Sequence, residues 1–114
     1  MTLNCAIIDD EPLALEMMSD YVQKTPFLTL TGAYNSAVQA IKTIRENPVD
    51  LLFLDIQMPE LSGLEFAKVL PKRTKVVFTT AFPQYAVEGY EVEAFAYILK
   101  PISYEAFLKV AKRA

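Results

Sequence analysis

The stretch of sequence that decides the fold is Leu51-Leu52-Phe53-Leu54-Asp55-Ile56-Gln57-Met58-Pro59. Four consecutive apolar residues lead directly into a carboxylate, and a proline follows shortly after. Such an apolar run predicts a strand that is buried on both faces, as in a parallel sheet covered by helices. Asp55 would then lie at the carboxyl end of the strand, where open α/β sheets place their ligands. At this point Asp55 can be either a turn residue or a functional carboxylate.

Strand and helix patterns alternate on both sides of this stretch. Apolar runs predict five strands, at residues 3–8, 27–34, 51–55, 75–80 and 96–99. Amphipathic spacing predicts helices that begin near Pro12, Ser36, Ser62 and Ser103, and a weaker helix over 85–91. We expect an acid ahead of Pro12 and the three serines to act as helix caps. Five alternating pairs predict an α/β fold, a doubly wound parallel sheet with helices on both faces and right-handed crossovers.

Composition argues against several classes of function. The net charge of −3 and the absence of a basic block make nucleic acid an unexpected direct partner. The chain has no histidine, which excludes Ser-His triads, histidine metal ligands and a phosphohistidine. The single cysteine, Cys5, excludes an intrachain disulfide and is expected to be a buried strand residue. No segment resembles a signal peptide or a membrane span, so we expect a soluble, cytoplasmic domain.

Polar side chains stand at the ends of the predicted strands: Asp9, Asp10, Asp55, Thr79, Thr80 and Lys100. Each alone is typical of a turn or a cap, but the ends of the first and third strands should open on one crevice. Clustered carboxylates need a neutralising cation, and a donor set of oxygen atoms favours Mg²⁺. A carboxylate beside Mg²⁺ can attack phosphorus to give an aspartyl phosphate, for which Lys100 and Thr80 offer a charge and a donor.

Read together, these residues resemble the receiver domain of bacterial two-component response regulators. The matching segments are Asp9-Asp10-Glu11-Pro12, Asp55-Ile56-Gln57-Met58-Pro59 with Gly63, Thr80-Ala81, and Tyr97-Ile98-Leu99-Lys100-Pro101. The resemblance implies a flavodoxin-like five-stranded sheet of order 2-1-3-4-5, the order known for the chemotaxis receiver. It also implies that Asp55 is the phospho-acceptor and that a sensor histidine kinase supplies the phosphoryl group.

The resemblance further implies a Mg²⁺ site around the acceptor. Asp10 is expected to bind the ion directly, with Asp9 acting mainly through water. Asp55 and the backbone carbonyl of Gln57 would complete the protein ligands.

The remaining matched residues are expected to read the phosphoryl group. Lys100 would pair with its oxygens, and the Lys100–Pro101 peptide bond is expected to be cis. Thr80 and Tyr97 fit a switch pair, in which the hydroxyl moves toward the phosphate and the ring follows inward.

A narrower resemblance is to receivers of the LytTR type, which usually precede a DNA-binding output domain. It rests on Thr79-Thr80-Ala81-Phe82, Gln84-Tyr85-Ala86, Gly89-Tyr90-Glu91 and the 97–101 segment. We therefore expect residues 1–114 to be one receiver domain, with any output domain beyond this chain and DNA bound only through it. A phosphorylation-dependent homodimer is a further expectation, because aromatic residues cluster around 82–95.

Two other interpretations remain open from the sequence. The first is a phosphohydrolase with Asp55 as transient nucleophile, but Gln57 stands where such enzymes carry a general acid. The second is a module that keeps the fold without being phosphorylated, although here every acid and the lysine are present. We therefore expect a signalling switch, stand-alone or linked to an output, rather than an enzyme.

Overall fold

The computed structural model describes residues 2–83 and 94–114. Its strands are β1 (Leu3–Ile8), β2 (Leu28–Tyr34), β3 (Leu51–Asp55), β4 (Lys75–Thr80) and β5 (Ala96–Leu99). Its helices are α1 (Pro12–Gln23), α2 (Ala37–Glu46), α3 (Gly63–Ala67) and α4 (Tyr104–Arg113). The helix predicted over 85–91 lies outside the described residues. No helix in the two described ranges has the length and apolar character to span a bilayer.

The five strands form one parallel sheet in the order β2-β1-β3-β4-β5. This confirms the predicted flavodoxin-like architecture. Because all strands run in the same direction, their carboxyl ends meet at one edge of the sheet. Asp55, the last residue of β3, is paired in register with Thr79 of β4.

Side chains of β3 alternate between two hydrophobic cores, one on each face of the sheet. Leu51 and Phe53 join a cluster with residues of α1 and α4. Leu52 and Leu54 join a second cluster with residues of α2 and α3. All four are fully buried, and burial of one such side chain contributes roughly 1.5–3 kcal/mol. Because β3 is buried on both faces of the sheet, the strand carries no polar residue before Asp55.

Strand β1 lies between β2 and β3 and carries the single cysteine. Cys5 has no exposed surface, and burial raises the pKa of its thiol to about 12. Beside it, the register between β1 and β2 shifts at Cys5/Ala6, which leaves Thr31 as an additional residue in β2. The Thr31 hydroxyl donates a hydrogen bond to the Cys5 carbonyl at 3.2 Å, as expected for a residue outside the ladder.

The three predicted serine caps are confirmed. The hydroxyl oxygens of Ser36, Ser62 and Ser103 accept hydrogen bonds from backbone N–H groups three residues later, at 3.4, 3.2 and 3.1 Å. Each bond satisfies one of the free N–H groups in the first turn of its helix.

Two local predictions are wrong. Glu11, the residue ahead of Pro12, makes no side-chain cap bond; its own N–H donates to Asp9 Oδ1 at 2.9 Å instead. The carboxylate that serves this turn therefore comes from the end of β1. Helix α3 ends at Ala67 rather than near Pro71, and Val69 is 45% exposed rather than part of a buried face.

Candidate functional site

Three aspartates converge at the carboxyl edge of the sheet. Asp9 and Asp10 follow β1, and Asp55 ends the neighbouring strand β3. A carboxylate oxygen from each lies within 4.8 Å of one from the others. Asp9 and Asp55 are almost fully buried, whereas Asp10 is exposed. The convergence predicted from the strand ends is thus present in the fold.

Lys100 brings a positive charge into this cluster from the end of β5. Its Nζ atom lies 2.9 Å from Asp9 Oδ2 and 3.5 Å from Asp55 Oδ2. Its backbone N–H donates a hydrogen bond to the carbonyl of Thr80 at 2.8 Å, which fixes the start of the loop. The peptide bond between Lys100 and Pro101 is cis, the isomer that the resemblance implies.

Backbone N–H groups orient the two buried carboxylates. Asp9 Oδ1 accepts a hydrogen bond from Glu11 N–H at 2.9 Å, and Asp55 Oδ1 accepts one from Gln57 N–H at 3.3 Å. In both cases an aspartate bonds the backbone two residues later, a turn that this short side chain favours. The other oxygen of each carboxylate contacts Lys100. Both carboxylates are therefore fixed from two sides.

The site carries more negative than positive charge. Burial raises the pKa of Asp55 to about 7, together with the charge of Asp9 and a hydrogen bond that the protonated Asp55 carboxyl donates to Asp10, although Lys100 and Gln57 N–H act in the opposite direction. Burial alone would lower the pKa of Lys100, but the hydrogen bond to Asp9 and the charge of Asp55 outweigh it and the pKa is raised. Lys100 is thus charged, while the uncompensated carboxylates favour a further cation.

A cleft of about 420 Å³ opens directly above these residues. It is lined by Asp10, Glu11, Pro12, Asp55, Gln57, Ala81 and Lys100. Three carboxylates in reach of one another are a donor set that suits Mg²⁺, which binds oxygen ligands and retains water. Another cleft of similar volume, at the amino end of β4, is lined by lysines and apolar residues without a carboxylate, so it does not share this chemistry.

Thr80 and Tyr97 are not among the residues that line the cleft. The buried Thr80 hydroxyl oxygen accepts a hydrogen bond from Phe82 N–H at 3.1 Å. The ring of Tyr97 stacks on Phe78 with centroids 5.3 Å apart. Its hydroxyl is buried and has no hydrogen-bond partner among the residues described, and burial raises the pKa of this phenol.

Part of the aromatic surface expected around 82–95 lies outside the described residues, including Tyr85 and Tyr90. Phe82 is 43% exposed. Phe95 instead packs against the core between α1 and α4, and its ring lies between Lys75 Nζ and the Arg113 guanidinium, at 5.2 and 5.1 Å. Phe95 is therefore half-buried: it packs against the core and also lines the cleft at the amino end of β4.

Gly63 is a site residue, but the sequence alone does not show why glycine is required at this position. Its N–H donates to the Ile56 carbonyl at 2.9 Å. A Cβ atom added at this position would lie 2.2 Å from the carbonyl oxygen of Asp55. The start of α3 therefore packs directly on the backbone of Asp55, and only glycine permits this approach.

Comparison with known proteins assigns a family to this arrangement. The family model for the response regulator receiver domain matches residues 5–112. The chain is 39% identical over 113 residues to an uncharacterized response regulatory protein of Shewanella oneidensis, covering 97% of this chain and 48% of that protein. It is 44% identical over 98 residues to the transcriptional regulatory protein BtsR of Escherichia coli, covering 84% and 41%.

Solved structures support the same assignment. The response regulatory domain of mrkE from Klebsiella pneumoniae superposes with a TM-score of 0.86 at 31% identity, covering 96% of this chain and 93% of that one. The chemotaxis protein CheY4 of Vibrio cholerae, with a TM-score of 0.86 at 24% identity and coverage of 99% and 98%, shares the fold. The chain spans about half the length of the curated relatives it matches.

Proposed function

Because the chain belongs to the response regulator receiver domain family, we propose that Asp55 accepts a phosphoryl group from a sensor histidine kinase in a Mg²⁺-dependent reaction. The observation that carries this proposal is the position of Lys100 Nζ, 2.9 Å from Asp9 and 3.5 Å from Asp55 inside a cluster of three carboxylates. Such a site holds a nucleophile, a place for a metal ion and a fixed cation for phosphoryl oxygens at the mouth of one cleft.

Transfer uses the carboxylate of Asp55 as nucleophile. One of its oxygens forms a bond to phosphorus while the P–N bond of the kinase phosphohistidine breaks, and the electron pair leaves with the imidazole. With a small phosphodonor the bond that breaks is P–O. Lys100 pairs with the phosphoryl oxygens, whose charge increases as the group is transferred. The contact with Gln57 N–H keeps Asp55 oriented for attack.

The residues that would hold Mg²⁺ are Asp10 and Asp55, with Asp9 acting through water and Gln57 through its backbone carbonyl. When bound, the ion neutralises the cluster and offsets charge on the phosphoryl oxygens. The pKa of Asp55 is raised to about 7 first by burial and then by the charge of Asp9, which Lys100 offsets only in part, so a cation bound at the cluster would favour the ionised carboxylate. Asp10 lines the cleft, whereas the buried Asp9 is already paired with Lys100 Nζ, which supports a direct role for Asp10 and a role through water for Asp9.

Phosphorylation then acts as a switch rather than as a step in turnover. The new charge at Asp55 attracts the hydroxyl of Thr80, whose oxygen accepts from Phe82 N–H and whose proton can be donated to a phosphoryl oxygen. Tyr97 responds on the same side of the sheet. The Tyr97 hydroxyl is buried and has no hydrogen-bond partner within residues 2–83 and 94–114, which supports this role, because such a group costs little to move to a new position. We expect no enzymatic activity beyond self-phosphorylation from a donor and self-dephosphorylation.

The output that we propose is transcription regulation through a LytTR-type DNA-binding domain outside this chain, in a cytoplasmic protein. Support comes from the 97–101 and 79–82 sequence segments and from the likeness to a transcriptional regulatory protein. A phosphorylation-dependent homodimer remains part of the proposal.

The test compares wild type with Asp55→Asn in acetyl phosphate and Mg²⁺, with intact mass as the readout. We expect one phosphoryl group on wild type, no label after chelation of the metal, and none on Asp55→Asn. Asp20→Asn is the matched control, because it makes the same chemical change on the exposed part of α1 and should label normally. Full labelling of Asp55→Asn would refute the assignment of the acceptor.

A further inference from the structure

We propose that Tyr21 is a positioning residue for Lys100. Tyr21 belongs to α1, and its hydroxyl donates a hydrogen bond to the carbonyl of Ile102 at 2.8 Å. Ile102 follows Lys100 by two residues. The bond therefore attaches the loop after β5, which carries Lys100, to helix α1, which lies across the central strand β3 from that loop. The inference rests on the proposed function, because it concerns how Lys100 is presented to the phosphoryl group.

The loop that carries Lys100 is fixed at both ends. On the upstream side, Lys100 N–H donates to the Thr80 carbonyl at 2.8 Å. On the downstream side, the Ile102 side chain is buried and its carbonyl accepts from Tyr21. Ser103 follows immediately as the cap of α4. The Tyr21 bond therefore sets where the loop ends and the helix begins.

Tyr21 is itself held by packing that leads back to the acceptor strand. Its ring contacts Tyr104 and Phe107, with centroids 5.3 and 5.4 Å away. Phe107 stacks on Phe53 at 4.8 Å, and Phe53 precedes Asp55 by two residues in β3. The Tyr21 hydroxyl thus fixes the Lys100 loop relative to the strand that carries the nucleophile.

Removal of this hydroxyl should change the chemistry more than the fold. A displacement of about 1 Å in a catalytic group can cost up to ~100-fold in rate. The long side chain of Lys100 can compensate for part of a backbone shift, so we expect a reduction of about 3- to 10-fold in the rate of phosphorylation. Tyr21→Phe keeps the ring and its packing, which makes the hydroxyl the only group removed.

The test compares Tyr21→Phe with Tyr104→Phe in the whole 114-residue chain. Tyr104 lies in the same aromatic cluster, and its hydroxyl contacts Thr25 Oγ1 at 3.1 Å rather than the loop. For both variants we would measure the rate of labelling by acetyl phosphate in saturating Mg²⁺, urea stability, and amide hydrogen exchange of the 100–103 segment, at Lys100, Ile102 and Ser103, without phosphodonor. A purely structural role predicts similar stability losses and equal labelling rates.

We expect slower labelling and faster exchange at 100–103 in Tyr21→Phe only, with Tyr104→Phe within about twofold of wild type, well inside the difference expected from misplacement. Labelling of Tyr21→Phe at the wild-type rate, or an equal reduction in Tyr104→Phe, would overturn the positioning role while leaving Asp55 as acceptor. Wild type that takes no label would overturn the proposed function and, with it, this inference.

Discussion

Replacement of Gly63 by alanine should disturb the acceptor strand more than any other addition of one methyl group near the cleft. The new Cβ would lie 2.2 Å from the Asp55 carbonyl oxygen, 2.9 Å from its carbonyl carbon and 3.0 Å from Ile56 Cα. All three are backbone atoms of the segment that carries the acceptor. None of them can rotate away, so either α3 or the end of β3 has to move.

The size of the effect follows from this rigidity. Extra methyl groups in a well-packed region typically cost 1–3 kcal/mol, and for a domain of this size that corresponds to a fall of about 4–12 °C in melting temperature. Gly32→Ala is the matched control. There the added Cβ would meet the Tyr34 ring, with its hydroxyl oxygen at 2.5 Å. A side chain can rotate, and glycine inside a strand is unfavourable to begin with, so the expected change is below about 1 kcal/mol.

The test measures the free energy of unfolding of both variants in urea and, in parallel, their rates of labelling by acetyl phosphate. Gly63→Ala should lose both stability and labelling rate, because the displaced backbone is that of Asp55 itself. Gly32→Ala should retain both. A Gly63→Ala protein as stable as Gly32→Ala would show that the contact between α3 and β3 relaxes without cost, and the explanation of this glycine would fail.

Two further predictions concern charge and capping. The pKa of Asp55 is raised from 3.8 to about 7, chiefly by burial and Asp9. Between pH 3.8 and about 7 the metal-free folded state therefore binds more protons than the unfolded chain. Its free energy of unfolding should fall as the pH rises through this range. Melting temperatures measured across this pH range should fall in wild type, and the fall should be smaller in Asp55→Asn and when Mg²⁺ is added. Equal pH dependence of the melting temperature in all three samples would contradict this prediction. Ser103→Ala, which removes the cap bond to Ala106 N–H, should cost about 1 kcal/mol in urea denaturation, and an unchanged midpoint would mean that the cap adds no stability.

The sheet and the acidic cluster could be predicted because their signals are local. An apolar run that stops at a carboxylate marks a buried strand and its end, and parallel strands then bring Asp10, Asp55 and Lys100 to one edge. The serine caps are likewise encoded within four residues of each helix start. For these features, neighbouring residues contain the whole physical reason.

The remaining features depend on contacts between distant segments. The bond from Tyr21 to Ile102 joins residues 81 apart in the chain, and no pattern around Tyr21 distinguishes it from a core aromatic. The sequence predicts that an acid ahead of Pro12 caps α1, but Glu11 at the cap position makes no side-chain cap bond, and Asp9 accepts from its N–H instead. The cause is the direction in which the end of β1 leaves the sheet, which only the fold defines.

The buried thiol of Cys5 offers an internal reporter of how the core on one face of the sheet opens. With no exposed surface and a pKa of about 12, it has almost no thiolate at neutral pH, and the thiolate is the form that alkylating reagents attack. Its side chain lies in the core that α1 and α4 cover, so the alkylation rate in native buffer measures how often this core opens. Since the chain has no other cysteine, one introduced on the surface could be labelled selectively without altering the native sequence elsewhere.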